Sequence, residues 1–272
     1  MKRYVPTFAK YLTLVLAVFV FLGPLVVVLF ASLKSKKEFS TSGPLTPPHH
    51  WLNMANFSTA FHQGGMVAGF VNTVIVLAIS LTGTILIGTM AAYAIDRFEF
   101  RGKKLVMGLF LVAVLIPSVT TQVATFRLIS DLGLFNTRGS LVLLFMGTDI
   151  VAIYIFLQFI SSIPVSLDEA AMLDGAGRWT IYWRVILPLL RPAIATVVII
   201  KGIAIYNEFY LPFLYLPSHG LISTSLFRFK GPFGAQWNVI AAGTILVIIP
   251  TVLAFLLLQR WIYRGLADGA VK

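Results

Sequence analysis

Long apolar runs broken by short polar segments set the plan of this chain. Tyr11 to Leu33, Val67 to Ile95, Leu105 to Phe126 and Trp237 to Gln259 carry no charge, and Ser140 to about Ile163 holds only Asp149. Each is long enough for a helix of about 20 residues, the length that crosses the hydrocarbon core of a bilayer. The stretch from Pro188 to about Leu216 also contains Arg191, Lys201 and Glu208. We read it as a span too, because an odd count would put two basic chain ends on opposite faces. The pattern predicts an all-α membrane protein of six transmembrane helices, one domain over residues 1–272. The spans fall at about 11–33, 67–95, 105–126, 140–163, 188–216 and 237–259, with a structured polar loop at 164–187.

Composition agrees. Of 272 residues, 58% are hydrophobic and 11% charged, against about 25% charged in soluble domains. Mean hydropathy is +0.90, so lipid is the main solvent. The net charge of +11 does not point to nucleic acid, since no basic stripe is interleaved with aromatics. With the N-terminus inside, the inner segments hold thirteen Lys and Arg and the outer ones seven. This bias places both termini in the cytoplasm. Met1-Lys2-Arg3 before an apolar run resembles a secretory leader, but the run to Leu33 is too long for one and lacks a small-residue cleavage site. It is read as a retained first span.

The chain offers little chemistry of its own. It has no cysteine, hence no disulfide and no thiolate metal site. His49, His50, His62 and His219 fall in outer loops without nearby carboxylate partners in sequence, so no metal site is expected. There is no G-x-x-x-x-G-K-[ST] phosphate loop and no catalytic set, so no cofactor and no catalytic residue is expected. Gly88 with Ala92, and Gly65 with Gly69, fit the small-xxx-small spacing of closely packed helices.

The 164–187 loop is the informative segment. Ser166 and Glu169 have capping-box spacing, and Asp168 adds negative charge at the positive end of a helix. Ala170, Ala171, Met172 and Leu173 continue that helix, and Asp174-Gly175 ends it, glycine tolerating the left-handed conformation. A second helix is predicted from about Trp179 towards Leu187, with Pro188 opening or kinking the next span. Met172, Leu173, Trp179, Ile181, Tyr182 and Trp183 are costly to leave in water.

Glu169-Ala170-Ala171, Gly175 and Val185-Ile186-Leu187-Pro188 resemble the E-A-A signature of binding-protein-dependent ABC importer permeases, with Val185 in place of the usual Ile. Asp131 to Thr137, Asn207-Glu208-Phe209, Ala241-Ala242-Gly243 and the segment from Gln259-Arg260 to Gly269-Ala270-Val271-Lys272 are similar to the sugar, maltose-permease-like subgroup. The resemblance implies the MetI-like fold of type I importers and a carbohydrate as solute. It also implies a second permease subunit, two ATPase subunits, an extracytoplasmic solute-binding protein and a bacterial or archaeal inner membrane. Glu169, Ala170, Ala171, Asp174, Gly175, Leu187 and Pro188 would couple to the ATPase, where ATP is hydrolysed. Asn207, Glu208 and Tyr210 would line or gate the pathway.

An ion-coupled secondary transporter is the rival reading. It would use Asp149, Lys201 and Glu208 as intramembrane relays, but Lys201 and Glu208, seven residues apart, stand about 10 Å apart along a helix. The topology has a direct test. A reporter fused after Lys272 reads as cytoplasmic if six spans bring both ends inside, and an external signal overturns the arrangement.

Overall fold

The computed structural model describes residues 7–117, 119–147, 149–232 and 234–270. Met1, Lys2, Arg3, Val271 and Lys272, used above for charge bias and resemblance, lie outside them. The chain runs α1 (Thr7–Leu33), α2 (Lys36–Thr41), α3 (Ala55–Gln63), α4 (Met66–Arg97), α5 (Lys103–Leu115), α6 (Gln122–Asp131), α7 (Arg138–Met146), α8 (Ile150–Ile160) and α9 (Ser166–Leu173). Then α10 (Arg178–Ile181) passes through a π-helical segment (Tyr182–Ile186) into α11 (Leu187–Leu189). There follow α12 (Arg191–Asn207), α13 (Tyr210–Tyr215), α14 (Ile222–Ser225) and a 3-10 turn (Leu226–Phe229). Strands β1 (Lys230–Gly231) and β2 (Gly234–Ala235) pair antiparallel before α15 (Trp237–Ala270).

Among the described residues, α1, α4 and α15 are long and apolar enough to cross a membrane unaided. Two bent pairs qualify only when joined: α7 with α8, inclined at 43°, and Arg178–Leu189 with α12, inclined at 68°. By length and composition this gives up to five crossings where the sequence predicts six. The difference lies at 105–126, which is not one helix. α5 has 13 residues and ends before Ile116, whose backbone is extended at ψ 115°. Proline drives the residue before it out of the helical region, and Pro117 follows Ile116. The runs 140–163 and 188–216 are likewise interrupted. Asp149, expected inside a helix, is the N-cap of α8 and accepts from the Ala152 amide at 3.2 Å. Glu208 stands at the break between α12 and α13.

The chain divides into two units. One combines the described residues up to Gly69 with Thr224–Ala254. The segment between α1 and α3 is held by polar contacts. Ser35 and Glu38 form a capping box at the start of α2. The Glu38 carboxylate also accepts from the His49 amide at 2.7 Å, and that bond holds its pKa below the ordinary value. Buried Lys34 donates to the Gly43 carbonyl at 2.8 Å. Asn56 donates to the Ser32 and Lys34 carbonyls and accepts from Asn238, each at 2.8 Å. Gly65, expected in a helix-packing pair with Gly69, instead occupies a left-handed turn at φ +63° that leads into α4.

The second unit, Phe70–Ser223 with the described residues from Phe255 onward, contains two apolar clusters along α4. Val76, Ile129, Leu141, Tyr215, Leu216 and Leu221 form one. Ala92, Tyr93, Phe156, Ile160, Ile181, Tyr182, Ile186 and Leu190 belong to the other, which packs α4 against α8 and the helices from α10 to α12. The Gly88 and Ala92 pair works as its spacing suggests. Ala92 is fully buried, and a Cβ at Gly88 would stand 3.0 Å from the Phe156 ring.

That contact generates a prediction. Gly88→Val lowers the melting temperature of the detergent-solubilised protein, because overpacking a filled core costs about 1–3 kcal/mol. Gly108→Ala, in α5 with nothing within 4 Å of its Cβ position, leaves it unchanged or raised.

Candidate functional site

The site is built at the end of α4. The 164–187 loop folds as two helices on one turn, but its start differs from the predicted capping box. Val165 is the residue before α9, its backbone is already helical, and no side chain caps the helix. The Leu167 amide donates to the Pro164 carbonyl, and the Asp168 and Glu169 amides donate to Val165. The first amides are therefore satisfied by a turn begun at Pro164, and Ser166 has no cap to supply.

Asp168, expected to act on the helix dipole, is drawn away to a buried ion pair. Arg97, the last residue of α4, donates from Nε to Asp168 Oδ2 at 2.7 Å and from Nη2 to the Ile163 carbonyl at 2.8 Å. Its Nη1 donates to Asp96. Arg97 is 5% exposed and Asp168 1%. Removing Arg97 strands the buried Asp168 carboxylate and costs about 3–5 kcal/mol. A lysine could not reproduce the three bonds, since the guanidinium supplies them from a fixed planar fork.

The turn ends as predicted. Gly175 has φ +82°. The Ala176 amide donates to the Ala171 carbonyl at 2.9 Å and the Gly175 amide to Met172 at 3.0 Å. These two bonds make a Schellman ending. The next helix starts at Arg178 and passes through the π-helical segment before Pro188. Its inner face stacks on α4: the Tyr182 ring lies 5.6 Å from Tyr93 and 5.7 Å from Trp179. The Tyr182 hydroxyl shares a 2.8 Å hydrogen bond with Thr89, and the Arg178 guanidinium lies 5.5 Å over the Phe98 ring.

The signature residues divide between two faces. Ala171, Met172 and Ala176 pack against the core with Leu187. Glu169, Ala170, Asp174 and Gly175 are exposed, as is Pro188. Leu173 is 90% exposed and Trp179 61%. The outer face is therefore a rigid, partly apolar knob. Of the apolar residues singled out in the sequence, Ile181 and Tyr182 are buried, whereas Leu173, Trp179 and Trp183 remain exposed.

The other candidates lie elsewhere in the unit. Glu208 Oε1 accepts from the Tyr210 amide at 2.9 Å and from Leu211 at 3.3 Å, capping α13. Its carbonyl accepts from the Ser223 hydroxyl at 2.6 Å. Asn207 and Tyr210 flank it, exposed. Lys201 is paired with Asp149, the cap of α8, so these two groups neutralise each other. Sequence reasoning weighed Lys201 against Glu208 and missed this pairing, because a contact between spans leaves no spacing to read. Arg97 was also missed, counted only as one of the basic loop residues. Its position at the end of an apolar run was the available signal.

Long apolar helices, joined to a buttressed loop, define a multi-span membrane protein with an exposed, partly apolar knob. The chain belongs to the family of binding-protein-dependent transport system inner membrane components, whose pattern it matches over residues 84–268. It is 31% identical to a probable starch degradation products transport system permease protein, AmyC, of Thermoanaerobacterium thermosulfurigenes, covering 100% of this chain and 97% of that one. It is 32% identical to the melibiose/raffinose/stachyose import permease protein MelC of Bacillus subtilis, covering 92% and 91%. Its fold is that of a chain in the crystal structure of a bacterial ABC transporter that imports alginate. The TM-score is 0.80 at 19% identity, covering 96% of this chain and 98% of that one.

Gly175 supplies a test of the knob. Space around it is open, so substitution acts through the backbone alone. An L-residue in the left-handed region costs about 1–2 kcal/mol, more when β-branched. Gly175→Val lowers transport while membrane insertion survives, and Gly175→Asn, which tolerates that region, is milder. Uptake measured at equal abundance checks the order.

Proposed function

We propose that this chain is the permease subunit of an ATP-driven importer that takes up a sugar or oligosaccharide. Two ATPase subunits, a second and different permease and an extracytoplasmic solute-binding protein would complete the assembly. The relatives named for starch products and for melibiose, raffinose and stachyose support a carbohydrate solute. The observation that carries the reading is the knob itself: a short helix with a Schellman ending, seated on α4, that leaves Leu173 90% exposed. An apolar side chain so placed on a rigid support suits a groove on an ATPase, and ATP hydrolysis would reside there.

In this reading the bilayer is an inner membrane, both termini face the cytoplasm, and α5 with α6 completes a sixth crossing. Glu169, Ala170, Asp174 and Gly175 form the docking surface, while Ala171, Leu187 and Pro188 set its seating. The break at Asn207, Glu208 and Tyr210 borders the solute pathway, where an unwound segment offers backbone and side-chain polar groups to sugar hydroxyls. Interrupted helices are tolerated in membranes where they line a cavity or are buried in protein.

Reconstitution tests the proposal. Labelled oligosaccharide enters proteoliposomes only with binding protein and ATP present, and Leu173→Glu removes the ATPase subunits from the purified complex. Uptake driven by an ion gradient without ATP, or full ATPase recovery with Leu173→Glu, defeats it.

A further inference from the structure

The reading of 164–187 as an ATPase-docking knob leaves open how a push on it reaches the rest of the permease, and the following rests on that reading. Most helices of the second unit are poor levers. α7 is inclined to α8 by 43°, the segment before α12 bends by 68°, and α5 stops after 13 residues. A push along a broken helix is absorbed at its break. α4 is different: it runs unbroken for 32 residues, about 48 Å at 1.5 Å per residue.

Both ends of α4 are fastened by polar contacts. At its C-terminal end Arg97 grips Asp168 and the Ile163 carbonyl, on either side of the start of α9. Near its N-terminal end Asn72 donates to the His219 carbonyl at 2.8 Å. The Thr73 hydroxyl accepts from the Ile222 amide at 2.9 Å. Residues 73 and 97 are separated by about 36 Å of helix. The aromatic and apolar contacts around Tyr182 lack direction, and the Tyr182–Thr89 hydrogen bond, 2.8 Å long, holds a distance but allows rotation about it. The Arg97 fork does not allow it, because its bonds to a carboxylate and a carbonyl fix both distance and angle.

We propose that Arg97 and Asp168 are the positioning pair that fastens the docking knob to α4. Through them α4 acts as a rigid rod, carrying the ATP-driven movement to the 219–222 segment at its far end. Arg97 touches neither ATP nor solute in this scheme; it acts through Asp168.

The chain has no cysteine, so an introduced thiol is the single one on this chain, and its label is read on the band of this subunit. His219→Cys places it at the far end while keeping the backbone carbonyl that Asn72 holds. In the complex assembled with its ATPase subunits, the labelling rate of this thiol by a water-soluble maleimide is measured with and without ATP. The expected result is an ATP-dependent change of about fivefold or more, the lower range of ordinary coupling between sites. Arg97→Lys, which keeps the charge but loses the fork, and Asp168→Asn, which keeps the shape, each abolish that change while the ATPase subunits stay bound. A role confined to stability would lower the yield of complex without altering the ATP dependence of what assembles. The proposal is overturned if the change persists in both variants, if it is absent with Arg97 and Asp168 intact, or if neither variant assembles. Failure of the docking reading shows separately, as ATPase subunits retained in full by Leu173→Glu.

Discussion

A single guanidinium organises the C-terminal end of α4 and the loop packed against it. Arg97 ends α4, and its bonds to Asp168 and the Ile163 carbonyl decide where the chain leaving α8 must turn and where α9 begins. Without it Asp168 would be a buried carboxylate with its ion-pair partner gone, and α9 would be held by apolar packing of Ala171 and Met172 and by its turn into α10. With it, the exposed knob has a defined position against the core formed by Tyr93, Phe156, Ile181 and Tyr182. The exposed face of the loop is thus fixed by what is buried beneath it.

The interruptions in the apolar runs follow from the same rule of satisfaction. In lipid an unpaired backbone amide costs several kcal/mol. Two of the breaks carry their own side-chain acceptor, Asp149 at the start of α8 and Glu208 at the start of α13, while the bend before α12 has no side-chain cap. Asp149 and Glu208 are the acidic residues that a hydropathy reading treats as anomalies inside spans. They mark helix ends instead, and Asp149 does two jobs, since it also meets Lys201 on α12. The charge of Lys201, isolated in its own segment, becomes intelligible only across that contact.

Two Ser-x-x-Glu patterns show how local signals succeed and fail. Ser35 and Glu38 do form a capping box, because the chain leaves α1 at Leu33, turns extended at Ser35 and begins α2 with free amides. Ser166 and Glu169 have the same spacing and do not, because the turn at Pro164 has already taken up those amides. A short motif reports the residues available for a cap. Whether a cap is needed depends on the chain before it.

By itself the sequence determined the all-helical, lipid-embedded class, the position of the 164–187 loop and the glycine turn at 175. These rest on properties local to a few residues: apolar run length, and the ability of glycine alone to hold φ +82° cheaply. The same local chemistry, matched to a signature, carried the family. Only the tertiary structure decided which spans are continuous, that Asp168 is buried while Leu173 is bare, and that Arg97 and Lys201 have the partners they do. Arg97 and Asp168 are 71 residues apart in the chain, a pairing that no period or spacing encodes. It arises because two helix ends, each carrying a charge that cannot be left alone in a low dielectric, are brought together by the packing of the apolar faces between them.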